Sequence, residues 1–172
     1  MKFRKLDSEY IQLQSGSTLI QSTNESSTNH HIHLKQNTMG TNYLCPHCRG
    51  ILNVKGRIIL SAKNSKDEKG LLLLHPEIGN YSSCKNDDFQ LTTGEKISLY
   101  CSICHSNLDS DKHENFAQIQ YQNVHGKEST VIFSKIYGEE VTHLFEDEKV
   151  ISYGEHCKRY ADPEWFLKSS ID

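Results

Sequence analysis

The chain has 172 residues, 35% of them hydrophobic, with a mean hydropathy of −0.63, so it can form one moderate domain or two small ones and part of its length is expected to stay unpacked. A formal charge of −3 sets aside the strongly basic composition of a dedicated polyanion binder. The longest apolar run, Leu71–Leu74, falls far short of the roughly 20 residues that span a bilayer, so no membrane partner is expected.

In chain order the pattern is mainly β. Tyr10–Gln14 and Thr18–Gln21 flank Ser15-Gly16-Ser17 and predict an N-terminal β-hairpin over 1–21. Residues 22–42 are dominated by Ser, Thr, Asn, Gln and His and read as a flexible polar loop. In 43–108, Arg57–Ala62 and Leu71–His75 read as strands joined by a charged turn, and Ile97–Tyr100 as another strand. In 109–172 a polar link leads to a β-meander. Phe116–Tyr121 alternates with a period of two, His125-Gly126-Lys127 turns the chain, and Thr130–Tyr137 runs back. Val141–Phe145 and Lys149–Tyr153 pair across Glu146-Asp147-Glu148. Asp162 and Pro163 open a short helical turn through Lys168, with Trp165 and Phe166 expected to dock on a core. The fold class is therefore mainly β, built of antiparallel strands and hairpins.

Two cysteine pairs stand out, Cys45-Pro46-His47-Cys48 and Cys101-Ser102-Ile103-Cys104. Each follows an apolar or aromatic residue, Leu44 or Tyr100, and each second cysteine is followed four positions later by leucine, Leu52 or Leu108. Nothing else in the sequence recurs at a fixed period. Four thiolates make the closed tetrahedral set that a structural Zn²⁺ prefers, so Cys45, Cys48, Cys101 and Cys104 are the expected ligands of one zinc. Pro46 pre-sets a turn, and Gly50 and Asn107 are the residues expected to take positive φ in the two knuckles. Over Leu44–Leu52 and Tyr100–Leu108 the chain resembles the zinc-ribbon class, which implies two knuckles at hairpin tips clasping one metal. The pairs are 52 residues apart, against roughly 15–20 in the usual ribbon, so a strand-bearing insertion must fill the gap.

Cys-Pro-His-Cys also resembles the active-site motif of thioredoxin-fold disulfide oxidases, which implies a thiol oxidoreductase using Cys45 and Cys48. Those enzymes place the first cysteine at a helix N-terminus, whereas Arg49–Leu60 reads as turn and strand. His47 and His105 are expected beside the metal, outside its ligand set. Cys84 and Cys157 have no partner at metal spacing and read as small buried hydrophobes, with a second site alongside His156 left open. No phosphate loop, nucleophile elbow or open metal site is present in the sequence.

Charge divides unevenly, ten Lys/Arg against five Asp/Glu in residues 1–70 and nine against seventeen in 71–172. Arg49, Lys55, Arg57, Lys63 and Lys66 lie near the first knuckle, and an alternating strand would put Lys55 and Arg57 on one side. Met1–Asp7 lacks the apolar core of a signal peptide, and paired cysteines in an unexported chain point to a cytoplasmic setting. The expectation is a non-enzymatic zinc-binding protein that serves as a protein-interaction module. The alternatives are a nucleic-acid- or ribosome-associated zinc-ribbon protein and the thiol oxidoreductase.

Overall fold

A computed structural model describes residues 40–160. The expected hairpin in 1–21, nearly all of the 22–42 loop, and the helical turn with Trp165 and Phe166 lie outside the described residues. Within them the chain runs β1 (Asn42–Leu44), β2 (Asn53–Val54), β3 (Arg57–Lys63), β4 (Lys69–Leu74), β5 (Ser83–Lys85), β6 (Ser98–Cys101), β7 (Phe116–Gln122), β8 (Glu128–Ser134), β9 (Thr142–Glu146) and β10 (Lys149–Tyr153), then a 3-10 turn, Cys157–Tyr160. All strand pairings are antiparallel. Sheet A has the order β1-β7-β8-β9-β10. Sheet B has the order β2-β3-β4-β5, with β6 sharing the β2 edge of β3. The mainly β class read from the sequence is the observed one.

Alternation explains how the sheets meet. Along β3, Ile58, Leu60 and Ala62 are buried while their neighbours are half-exposed. They join Leu72 of β4 and, from sheet A, Ile119 and Val131 in one hydrophobic cluster. Burying each of the isoleucine, leucine and valine side chains contributes roughly 1.5–3 kcal/mol, so this shared cluster is the main cohesion between the sheets. The other face of sheet A carries a smaller cluster, Phe116, Ile132 and Val141, packed against Cys157 and Tyr160 of the 3-10 turn.

The structure contains a repeat that the sequence hides. The strand leading into the first knuckle, β1, pairs with β7, the first strand after the second knuckle. Reciprocally, β6 leads into the second knuckle and pairs with β3, which follows the first. The hairpins β3–β4 and β7–β8 both close on five-residue turns, 64–68 and 123–127. Each turn opens with asparagine. Asn64 Oδ1 accepts from the N–H groups of Lys66 (3.0 Å) and Glu68 (2.9 Å), and Asn123 Oδ1 from those of His125 (2.9 Å) and Lys127 (3.0 Å). The fourth turn residue takes positive φ in both, Asp67 at 64° and Gly126 at 79°.

Equivalence continues into the third strand. His75 N–H donates to Ser82 O at 3.2 Å, and Ser134 N–H to Val141 O at 3.1 Å. Gly79 and Gly138 sit at positive φ, 88° and 82°, in the two matching loops. Then Leu73 pairs with Cys84 as Ile132 pairs with His143. Residues 42–85 and 98–144 therefore follow one path twice, with their lead-in strands exchanged. Few side chains are shared between the two passes, so the recurrence extends beyond the cysteine knuckles without leaving a sequence period.

Two further expectations are corrected. Lys55 and Arg57 do not share a strand face, because Lys55-Gly56 (φ 47° and 70°) form the two-residue loop between β2 and β3. Cys84 is exposed rather than a buried small hydrophobe, since β5 points it away from the inter-sheet core.

Candidate metal centre

Each knuckle is a tight turn tied by its own backbone. Cys45 N–H donates to Gly50 O and Arg49 N–H to Cys45 O, both at 3.0 Å. Cys101 N–H donates to Ser106 O and His105 N–H to Cys101 O, also both at 3.0 Å. The positive φ that closes each turn falls on the residue after the second cysteine, Arg49 at 63° and His105 at 61°. Gly50 and Asn107, expected in that role from residue type, are not among the residues at positive φ. Gly50 matters for a different reason. A Cβ there would lie 2.6 Å from Ile103 Cδ1 and 3.3 Å from Cys48 Sγ, so glycine leaves room for the Ile103 side chain of the second knuckle to lie against the first.

The leucine four residues past each knuckle hands the chain from one sheet to the other. Leu52 N–H donates to Tyr43 O at 2.7 Å, on the sheet A side, while Leu52 O accepts from Ile59 N–H at 2.9 Å in sheet B. Leu108 reverses this, donating to Leu99 O at 3.0 Å and accepting from Gln118 N–H at 2.7 Å. Both leucine side chains are buried. The knuckles thus sit where the two sheets converge, one led in by each sheet.

The four sulfurs are gathered there, all within 4.8 Å of one another. Cys45 Sγ is 3.8 Å from Cys104 Sγ, and Cys48 Sγ is 3.9 Å from Cys101 Sγ. A tetrahedron with metal–sulfur bonds of about 2.3 Å has edges of about 3.8 Å, which these two separations match, so the set could hold a metal ion. Cys45 and Cys101 are buried, Cys48 and Cys104 exposed. His47 N–H points at Cys45 Sγ (3.4 Å), and the N–H groups of Ile103 (3.3 Å) and Cys104 (3.4 Å) point at Cys101 Sγ, an arrangement that favours thiolates. Burial pushes the Cys45 thiol up to about 12, whereas the Ser106 hydroxyl and then its backbone N–H hold Cys104 down to about 6. A bound cation would supply the charge that keeps all four deprotonated.

Neighbouring groups lock the knuckles together. His47 Nε2–H donates to Asn107 O across the joint at 2.9 Å, and Ser102 Oγ donates to Ile59 O at 3.0 Å. His47 therefore stands beside the sulfurs as a bracing group. Residue type alone gave no sign of the Ser102 and Ser106 contacts.

Elsewhere the candidates separate. Among the described residues the four cysteines are the one group of three or more His, Cys, Asp or Glu side chains close enough to hold a metal, so Cys84, His156 and Cys157 do not form a second site. His156 Nδ1 instead accepts from Glu140 N–H at 3.1 Å. Of the basic residues near the first knuckle, Arg49 is paired with Glu128 and Lys63 with Asp67 at 2.8 Å. No helix of the described residues is long and apolar enough to cross a membrane. No protein-family model, curated protein or solved structure matches this chain.

Proposed function

We propose that Cys45, Cys48, Cys101 and Cys104 hold one structural Zn²⁺ in a zinc-ribbon-like site, and that the protein is a non-enzymatic interaction module of the cytoplasm. The observation that carries this reading is the set of four sulfurs, two from each knuckle, gathered within 4.8 Å of one another where the sheets converge. A metal with four protein ligands has no position left for substrate or activated water. Its contribution is to fasten one sheet to the other. Exposed apolar side chains lie in and next to the knuckles, Ile51, Val54 and Ile103 each being 53% exposed, and support a protein-binding role for this surface.

The rival readings find less support. Pairing of Arg49 and Lys63 with carboxylates weakens the basic face that a nucleic-acid partner would use. For a thiol oxidoreductase, Cys45 would need to be accessible at a helix N-terminus. It is fully buried in a turn that leads to strand.

Elemental analysis of the native protein should give one zinc per chain. Iron, which also accepts four thiolates, would replace the metal assignment, and a metal-free protein with a reversible Cys45–Cys48 disulfide would restore the redox reading. For the interaction role, an Ile51→Glu/Ile103→Glu variant should keep its zinc and lose the proteins captured by the wild type from native lysate. Recovery of RNA alone, lost at moderate salt, would replace the protein partner with a nucleic acid.

A further inference from the structure

The two matching loops, 75–82 and 134–141, frame the mouth of a cavity between the sheets of about 330 Å³. Its wall is built twice over by the repeat. Leu72 and Leu74 of β4 line one side, and their counterparts Val131 and Phe133 of β8 line the other. Gly79 and Gly138 occupy equivalent points on the rim. Close-packed interiors leave few voids larger than a water molecule, and about 300 Å³ is where small-molecule pockets begin. The volume suits about a dozen non-hydrogen atoms.

The rim breaks the symmetry in charge. Where one loop has Glu77 and Tyr81, the other has Ile136 and Glu140. Among the described residues no lysine or arginine lines the cavity. Glu139 is already bound by Ser134 Oγ (2.5 Å), Tyr160 O–H (3.0 Å) and Arg159 (3.1 Å). Tyr43, on the wall, spends its hydroxyl on Pro76 O. Glu77 and Glu140 make no ion pair with lysine or arginine among the described residues. Glu77 Oε2 lies 3.8 Å from His75 Nδ1 and accepts from Asn80 Nδ2 at 3.2 Å, so an apolar cleft with two carboxylates at its mouth and no lysine or arginine against them among the described residues favours a cation at the rim and repels an anion.

We infer that this cavity is a binding site for a small cationic amphiphile, an aliphatic amine whose hydrocarbon part lies between Leu72/Leu74 and Val131/Phe133 and whose ammonium group meets Glu77 and Glu140. The site is separate from the sulfur cluster and needs no contribution from it beyond holding the sheets together.

The test compares octylamine, octanol and octanoate on the full-length zinc-loaded protein, by calorimetry and by amide chemical shifts. Octylamine should bind once per chain, shift the amides of β4, β8 and both loops, and bind at least tenfold more tightly than octanoate. Val131→Phe, which fills the cavity, should abolish binding, and Ile78→Trp, on the more tolerant rim, should weaken it at least tenfold with zinc content unchanged. Glu77→Gln/Glu140→Gln should bring octylamine down to the affinity of octanol. Octanoate binding as tightly as octylamine would overturn the assignment, as would octylamine binding that a folded Ile78→Trp protein leaves intact or no binding at all.

Discussion

Residues 42–85 and 98–144 trace the same path and dress it differently. Both lead a strand into a two-cysteine knuckle, pass through a buried leucine, and close a hairpin on an Asx-type turn. Off that skeleton they diverge. The third strand of the first pass exposes Cys84, while that of the second buries His143, which is 1% exposed with its ring against Phe116, itself in contact with Tyr160 of the 3-10 turn. Backbone geometry is therefore set by a handful of groups (thiolates, one asparagine, residues able to take positive φ), and the remaining positions are free to follow what covers each sheet.

The largest effect should come from the sulfurs, where the comparison predicts equality. Cys45 and Cys101 occupy matching buried positions, and structural zinc contributes on the order of 10 kcal/mol to folding in small domains. Cys45→Ser and Cys101→Ser should each lose the metal and cooperative unfolding together. The exposed ligands should be more forgiving, with Cys48→Ser and Cys104→Ser keeping a weakened site completed by water. Zinc stoichiometry and thermal unfolding check both. Loss confined to one knuckle would mean that the passes are not energetically equivalent.

Next in size is an asymmetry. Burial lowers the pKa of His143 from its ordinary 6.5 to about 4, and its Nδ1 lies 2.8 Å from Ser152 Oγ. The folded state thus disfavours the imidazolium that the unfolded chain accepts. Above about pH 6.5 both states are neutral and stability is complete. As pH falls toward about 4 the unfolded state gains the proton first, so stability drops, by on the order of 3 kcal/mol in all. His143→Gln should flatten denaturant midpoints between pH 6.5 and 4 relative to wild type. Protonation of the thiolates acts on both proteins alike and cancels in the comparison. Replacing Cys84, the matching residue, should leave the pH slope unchanged.

Much of this was legible from local pattern. Period-two alternation located β7, and runs of strand-forming residues located β3, β4 and β8 through β10 to within a few residues; β3 and β7 alternate because one face of each lies in a core, whereas β10 is exposed along four of its five residues. The cysteine spacing and the following leucines pointed to a single four-sulfur joint. What was not legible depends on partners distant in sequence. β1 and β5 have three residues each and exist as strands because β7 and β4 offer them edges. The loop at Lys55-Gly56 was passed over because its flanking strand, β2, has two residues. Assigning positive φ to Gly50 and Asn107 followed residue type. The knuckle instead needs that conformation immediately after its second cysteine, where backbone hydrogen bonds back to the first cysteine enforce it on Arg49 and His105. The repeat escaped notice because its shared atoms are mostly main chain.

The smallest predicted difference tests that last point. Asn64 and Asn123 do the same work in the two hairpin turns, each accepting two backbone N–H bonds. Asn64 does more. Its Nδ2 also donates to Glu68 Oε2 at 2.7 Å and to Gln90 O at 3.0 Å, and the residue is buried, whereas Asn123 is half-exposed. Each net hydrogen bond is worth about 1 kcal/mol, with a larger loss where a buried partner is left unsatisfied. Asn123→Ala should therefore cost about 1–2 kcal/mol and Asn64→Ala about 3 kcal/mol, read as shifts in denaturant midpoint at constant slope. Asn64→Asp separates the two roles, since the carboxylate still accepts both turn N–H groups but cannot donate to Gln90 and faces Glu68. A loss for Asn64→Asp close to that of Asn64→Ala would place the energy in the Nδ2 contacts, which only the first pass makes. A loss near that of Asn123→Ala would place it in the turn, which both passes share.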